Sequence, residues 1–83
     1  MISNSKKGRL KMRVKIGLET LSDVKEFVNI MTRVKSKAVL VDKDRNFMVN
    51  AKSLLGAMYT VEWDEVWLES DEDLYSQIMK FAK

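Results

Sequence analysis

The sequence contains no cysteine, no histidine and no proline among its 83 residues. Without cysteine, the chain can form neither a disulfide framework nor a thiolate zinc site, so packing alone must stabilise the fold. Histidine supplies most general acid–base catalysis near neutral pH and is the commonest metal ligand. Its absence excludes serine hydrolase triads and typical catalytic zinc sites. We expect a protein that is not an enzyme and that needs no metal and no cofactor.

Long hydrophobic runs are also missing. No apolar stretch approaches the ~18 to 20 residues that cross a bilayer, and the first residues, MISNSKKGRLKM, lack the apolar core of a signal peptide. We therefore expect a cytoplasmic protein that makes no use of a membrane. The length suffices for one compact core and not for two, so every functional expectation must fit a single small domain.

Positive charge is concentrated at the start of the chain, although the formal net charge is only +3. Five basic residues and no acidic residue lie among the first 13 positions, namely Lys6, Lys7, Arg9, Lys11 and Arg13. From Val14 onward, ten basic residues stand against twelve acidic ones. This contrast predicts a basic flexible extension over residues 1–11 and a folded domain over residues 12–83. The extension makes a small nucleic-acid-binding domain the alternative function, but the domain itself has no line of basic and aromatic residues to favour it.

The domain opens with a strand pattern followed by a helix pattern. Residues Met12 to Leu18 alternate in the period of a strand with one buried face. An apolar stripe at helical spacing follows, made of Val24, Phe27, Val28, Met31 and Val34. Asp23 with Glu26 three residues later resembles a capping box with the aspartate as the cap, so this helix is predicted to begin there.

The middle of the chain predicts a hairpin and a short helix. Ala38 to Val41 and Phe47 to Val49 are β-rich runs, and the polar residues 42–46 between them predict a turn. Residues Lys52 to Tyr59 are mostly good helix formers behind Ser53, a favoured N-cap residue. We expect a helix of about two turns there.

The last third predicts a strand and a final helix. Residues Trp63 to Glu69 alternate, with Val66 and Leu68 on one face and Trp63 and Trp67 on the other. Acidic residues 71–73 then precede a helix whose apolar residues share a face; these are Leu74, Ile78 and Phe81. The element order βαββαβα predicts an α+β fold, an open-faced β-sandwich whose helices cover one face of a mainly antiparallel four-stranded sheet.

The two tryptophans need an explanation on the face that the helices leave uncovered. The side chains of Arg13 and Lys15 on the neighbouring strand can cover the rings and form cation–π contacts. Alternatively, Trp63 and Trp67 form the surface of a weak homodimer.

The element order and the segment NAKSLLGAM at residues 50–58 resemble HPr, the phosphocarrier protein of the bacterial sugar phosphotransferase system. The similarity covers roughly Met12 to Ala82 and is most specific at residues 52–56. The resemblance implies the open-faced sandwich described above, with the short helix opening after the third strand.

HPr proteins carry the phosphoryl group on a histidine at the start of the first helix, which this chain lacks. Alignment by the apolar stripe places Thr20 at the histidine position, and counting back from Ser53 places Ser22 there. Both alignments also lose the arginine and the proline of the family motif. Asp23 moreover puts a carboxylate where the family binds an anion at the helix dipole. Histidine phosphocarrier activity should therefore be absent, and we interpret Thr20 and Ser22 as helix caps.

The resemblance assigns other roles to the short helix. Ser53 matches the serine that a dedicated kinase phosphorylates in HPr of many Gram-positive bacteria, while its residue type alone predicts an N-cap. Leu54, Leu55 and Met58 match an exposed apolar patch that docks on partner proteins. On a helix of two turns these three side chains cannot all point inward, so at least one leucine should face solvent.

These observations favour a regulatory or protein-interaction domain related to the sugar phosphotransferase system. The implied partners are a component of that system, a serine kinase or a transcriptional regulator, and nucleic acid is not an expected partner. An enzyme built on the neighbouring acids Asp64 and Glu65 is disfavoured, because two carboxylates without a pocket are weak evidence for catalysis.

Overall fold

The computed structural model describes residues 11–83, which contain one antiparallel sheet of four strands. The strands are β1 (Met12–Ile16), β2 (Ala38–Val41), β3 (Met48–Asn50) and β4 (Val66–Ser70), in the spatial order β1-β4-β2-β3. All but the last residue of the predicted basic extension lies outside the described part of the chain. Lys11 itself donates a backbone hydrogen bond to the Ser70 carbonyl at 2.9 Å.

Three helices accompany the sheet in the described residues. They are α1 (Leu21–Thr32), α2 (Leu54–Tyr59) and α3 (Tyr75–Ile78), and short 3-10 turns follow at Thr60–Glu62 and Met79–Phe81. The predicted order of strands and helices is confirmed, and the protein is a small α+β fold with an open antiparallel sheet. None of these helices has both the length and the apolar character that a membrane crossing requires.

The register of the strands separates the two faces of the sheet. One row across the sheet joins Val14, Leu68, Leu40 and Val49, which face the helices and contribute to the core. The neighbouring rows point to the opposite face, because successive residues of a strand alternate sides. One of these rows is Lys15, Trp67, Val41 and Met48, and the other is Arg13, Glu69, Val39 and Asn50. We call this second side the open face.

Helix α1 begins three residues earlier than the sequence pattern suggests. Thr20 is the N-cap, with its Oγ1 accepting from the Asp23 backbone N–H at 3.0 Å, and the Asp23 carboxylate accepts from the Thr20 N–H at 3.3 Å. The predicted cap at Asp23 is therefore wrong, since Asp23 occupies the third helical position of a capping box. The interpretation of Thr20 as a cap is confirmed, whereas that of Ser22 is wrong, because Ser22 is the second residue of the helix.

The apolar stripe of α1 packs on the sheet as predicted. Val24, Phe27, Val28 and Met31 are buried, and Phe27 meets the Phe81 ring edge-to-face with centroids 5.6 Å apart. Each large apolar side chain buried in this way stabilises the fold by about 1.5 to 3 kcal/mol. Phe81 belongs to the final helical segment, whose Leu74 and Ile78 are also buried.

Strand β4 begins at Val66, three residues later than predicted. Trp63 follows the 3-10 turn Thr60–Glu62 and packs against the core, with its ring stacked on Phe47 at a centroid distance of 6.2 Å. The predicted placement of Trp63 beside Trp67 on one strand face is therefore wrong. Trp67 lies on the open face, and both rings are half-buried. A homodimer through these tryptophans stays a prediction.

Candidate functional site

Helix α2 starts at a side-chain cap supplied by Ser53. The serine is extended, and its Oγ accepts a hydrogen bond from the Gly56 backbone N–H at 3.1 Å. Its own N–H donates to the Asn50 carbonyl at 3.0 Å, which joins the cap directly to the end of β3. The predicted N-cap role of Ser53 is confirmed, and its side chain is half-buried.

The inward side of α2 consists of small residues. Ala57 is fully buried, and Gly56 lies so close to β3 that an added Cβ would sit 3.2 Å from the Val49 Cβ. A larger side chain at position 56 would need Val49 to move, so the short helix can approach the sheet only through these two residues. The larger apolar residues of α2 consequently point away from the core.

Four apolar or aromatic side chains cover the outer side of α2. Leu54, Leu55, Met58 and Tyr59 are all exposed, and we call them the α2 surface. Leu55 is 65% exposed, which is the highest value among the large apolar residues of the described chain. Leu54 is one helical turn from Met58, and Leu55 is one turn from Tyr59, so the four form adjacent pairs on the helix.

The prediction that at least one of Leu54 and Leu55 faces solvent is confirmed, since both are exposed. The place of Tyr59 beside them was missed. Its spacing of four from Leu55 could have signalled its place in the same surface. Val61, in the following 3-10 turn, is also exposed and extends the apolar run beyond the helix. A contiguous exposed apolar surface of this kind is typical of sites that bind other proteins.

Thr20 and Ser22, the two residues predicted to stand at the histidine position of the HPr family, lie at the start of α1. Thr20 uses its hydroxyl as the helix cap, and Ser22 is exposed in the first turn. The Asp23 carboxylate accepts from the backbone N–H groups of Glu19, at 3.2 Å, and Thr20. A negative charge therefore already occupies this helix N-terminus.

The open face carries a buried carboxylate shared by two arginines. Glu69 is only 2% exposed, and its Oε2 accepts from Arg13 Nε at 3.0 Å and from Arg45. The Arg13 guanidinium also lies 4.3 Å from the centroid of the Trp67 ring. This contact confirms the predicted cation–π interaction for Arg13. The pairing of Glu69 with Arg45 was missed, because it depends on how the hairpin turn folds over the sheet.

Glu65 completes the polar cover of Trp67. The indole N–H of Trp67 donates to Glu65 Oε1 at 3.0 Å, and Lys15 Nζ lies 3.7 Å from the other carboxylate oxygen. The indole hydrogen bond, followed by the positive charge of Lys15, lowers the pKa of Glu65 below its ordinary value. Its neighbour Asp64 is exposed. The carboxylate of Glu65 is thus engaged in a surface network with Trp67 and Lys15.

A shallow groove of about 400 Å³ lies beside this network, where the end of β1 meets residues 60–66. Four of the charged residues that line the groove form two ion pairs, Lys15 with Glu65 and Lys83 with Glu19. In residues 11–83, no three acidic side chains are grouped as the ligands of a metal ion would be.

No family model, no curated protein and no solved structure matches the chain.

Proposed function

We propose that this protein is a regulatory binding module that docks on a protein partner through the α2 surface. The observation that carries the proposal is the orientation of α2. Its small residues Gly56 and Ala57 face the sheet, and its large apolar residues face solvent. Burial of these side chains in a partner would recover the hydrophobic stabilisation that the isolated fold forgoes.

Within that class, we propose an HPr-like domain without histidine phosphocarrier activity. Support comes from the element order and from the segment at residues 50–58, which ends a third strand, caps a short helix and exposes its leucines. The chain has no histidine, and Asp23 puts a carboxylate at the helix start where a phosphoryl group would have to bind. Two negative groups at one helix N-terminus would repel each other.

Ser53 is the position at which we propose that a kinase regulates docking. A phosphoserine carries about −1.5 to −2 charges near pH 7. At Ser53 this charge would lie at the first turn of α2, directly before Leu54 and Leu55. The helix dipole favours a negative charge there, so the helix should persist while the chemistry beside the leucines changes. Suitable partners are a phosphotransferase-system component, a serine kinase or a transcriptional regulator.

The proposal is tested by affinity capture from bacterial lysate with wild type and two charged variants. Leu55→Glu introduces a charge into the α2 surface, and Met79→Glu is the matched control, because Met79 is 59% exposed but lies after α3. A protein that wild type and Met79→Glu both recover, and that Leu55→Glu loses, supports docking through α2. Recovery of the same proteins by all three forms contradicts it.

A further inference from the structure

The two edge strands of the sheet, β1 and β3, differ in whether their outer side is paired. At the outer edge of β1, the end of the chain pairs with the strand: the Lys83 N–H donates to the Lys15 carbonyl at 2.9 Å, and the Gly17 N–H donates to the Phe81 carbonyl at 2.8 Å. Ile16 and Ala82 form an antiparallel bridge. Strand β3 lies at the other end of the sheet order, and within residues 11–83 no strand covers its outer side.

The register between β2 and β3 shows which backbone groups this open edge presents. Val49 pairs with Leu40, and the hydrogen bonds from Ala51 to the Ala38 carbonyl and from Asp42 to the Phe47 carbonyl flank that pair. In an antiparallel ladder, residues alternate between bonding inward and outward. The N–H and C=O of Met48 and the N–H of Asn50 therefore point away from β2. Met48 is 56% exposed, so a second chain can approach this edge.

A depression of about 420 Å³ adjoins the same edge. Its lining is largely apolar, and its only charged members are two lysines; the residues are Lys37, Ala38, Val39, Met48, Val49, Asn50 and Lys52. Lys52 Nζ is held at 2.5 Å from the Val34 carbonyl, at the end of α1, while Lys37 is exposed. The β3 edge thus presents backbone N–H and C=O groups that point away from β2. Beside it lies an apolar depression whose charged residues are both lysines.

We propose that the β3 edge binds an extended acidic segment of a partner protein, which adds a strand to the sheet. Backbone hydrogen bonds to Met48 and Asn50 would hold such a segment, as in other cases of strand addition. Apolar side chains of the added strand can contact the apolar lining of the depression, and its carboxylates can pair with Lys37 and Lys52. This surface is separate from the α2 surface and does not depend on it.

The positive charge of Lys37 and Lys52 favours an acidic partner segment over residues 1–10 of this chain as the ligand of the β3 edge. Residues 1–10 of the chain carry Lys6, Lys7 and Arg9 and no acidic residue, so they lack the charge that complements the two lysines. An acidic segment has that charge, and attraction between opposite charges also speeds association. Pairing of β3 with a second copy is the outcome against which the proposal is tested.

The test uses two labelled peptides as probes, an alternating Glu–Val heptapeptide and its Lys–Val counterpart. We expect the acidic peptide to bind, to shift the Met48 and Asn50 amide resonances and to slow their hydrogen exchange, and the basic peptide to do neither. Met48→Pro removes one outward donor at an edge position that tolerates proline. Since one hydrogen bond contributes modestly in net terms, this variant should bind roughly threefold to tenfold more weakly.

Charge variants provide the control. Lys37→Glu should weaken binding of the acidic peptide by a similar factor, whereas Lys43→Glu, which alters an exposed lysine in the β2–β3 turn outside the depression, should not. Leu55→Glu should leave peptide binding unchanged, so failure here is distinguishable from failure of docking through α2. If Met48→Pro does not fold, binding of the acidic peptide by Lys37→Glu still tests the proposal.

Three binding results would overturn the proposal: no binding of the acidic peptide, equal binding of both peptides, or unchanged binding of the acidic peptide by Lys37→Glu. A fourth is a wild-type dimer in analytical sedimentation that Lys43→Glu retains and Met48→Pro dissociates. The last result would mean that a second copy occupies the edge.

Discussion

Arg45 reaches from the β2–β3 turn to the open face and donates a hydrogen bond to Glu69, 24 residues away on β4. Arg45 has a φ of 60°, in the left-handed region that favours glycine. Its side chain helps to neutralise a carboxylate that is nearly inaccessible to water. The turn thus keeps an unfavourable backbone conformation at a residue whose side chain stabilises the sheet.

Two substitutions at position 45 should separate the free-energy cost of the left-handed backbone from the stabilisation that the contact of Arg45 with Glu69 provides. Arg45→Ala keeps the left-handed backbone cost and loses the hydrogen bond to Glu69, so we expect a loss of about 1 to 2 kcal/mol in the free energy of unfolding. Arg45→Gly loses the same bond but relieves the backbone, and should be about 1 kcal/mol more stable than Arg45→Ala. Urea denaturation measures both, and an alanine variant as stable as the glycine variant would contradict this account.

The open face should also give the protein a specific dependence of stability on pH. Because the pKa of Glu65 is lowered in the folded protein, its ionised form contributes stability that is fully present above the pKa of the unfolded chain, and this contribution is lost as the pH falls through the folded pKa. Glu65→Gln should therefore show a smaller loss of thermal stability than wild type on acidification from pH 6 to pH 3.

The cause of the lowered pKa can be tested separately with Trp67→Phe. This variant keeps an aromatic ring under Arg13 but removes the indole donor. The Glu65 carboxyl should then titrate at a higher pH in carbon-13 NMR than it does in wild type. An unchanged titration midpoint would show that the indole hydrogen bond does not perturb Glu65.

Phosphoenolpyruvate and enzyme I of the phosphotransferase system should leave the protein unmodified. The chain contains no histidine to accept a phosphoryl group on nitrogen, and Asp23 already occupies the α1 start. Phosphorus NMR after incubation should show no phosphoramidate signal, with an HPr protein as the positive control. Such a signal from this chain would contradict the proposed lack of histidine phosphocarrier activity.

Ser53 should tolerate aspartate but not alanine. Ser53→Ala leaves the Gly56 N–H without its side-chain partner and should cost about 1 kcal/mol of stability. Ser53→Asp can still cap the helix and should remain within a few tenths of a kcal/mol of wild type. Chemical denaturation of both variants checks this, and an aspartate variant less stable than the alanine variant would show that α2 cannot accept negative charge at its start.

The periodic elements could be predicted from the sequence because burial imposes a period on them. The α1 stripe and the alternation in β1 reflect one buried face each. The structure buries the residues that the pattern selects, Val14 only partly. Element ends are harder to place, since they depend on single hydrogen bonds. Thr20 and Asp23 are both favoured cap types, and only the backbone geometry shows that Thr20 is the cap.

Contacts between distant segments could not be predicted in the same way. Trp63 fits the alternation of β4, but the 3-10 turn before it redirects the chain and stacks its ring on Phe47. The pairing of Arg45 with Glu69 depends on the fold of a turn, for which charge spacing along the chain gives no signal. For α2, Leu54 and Leu55 were enough to predict a candidate surface from the sequence. The close approach of Gly56 to Val49, which orients the helix, is visible only in the structure.

Site-specific photo-crosslinking in bacterial cells tests docking through α2 most directly. A photoreactive phenylalanine analogue replaces Leu55 in one form and Met79 in the other, since both positions are well exposed. We expect a discrete adduct with one partner protein from position 55, absent from position 79 and changed in yield when Ser53→Asp is added. No adduct from position 55, or the same adducts from both positions, would contradict a binding module that uses the α2 surface.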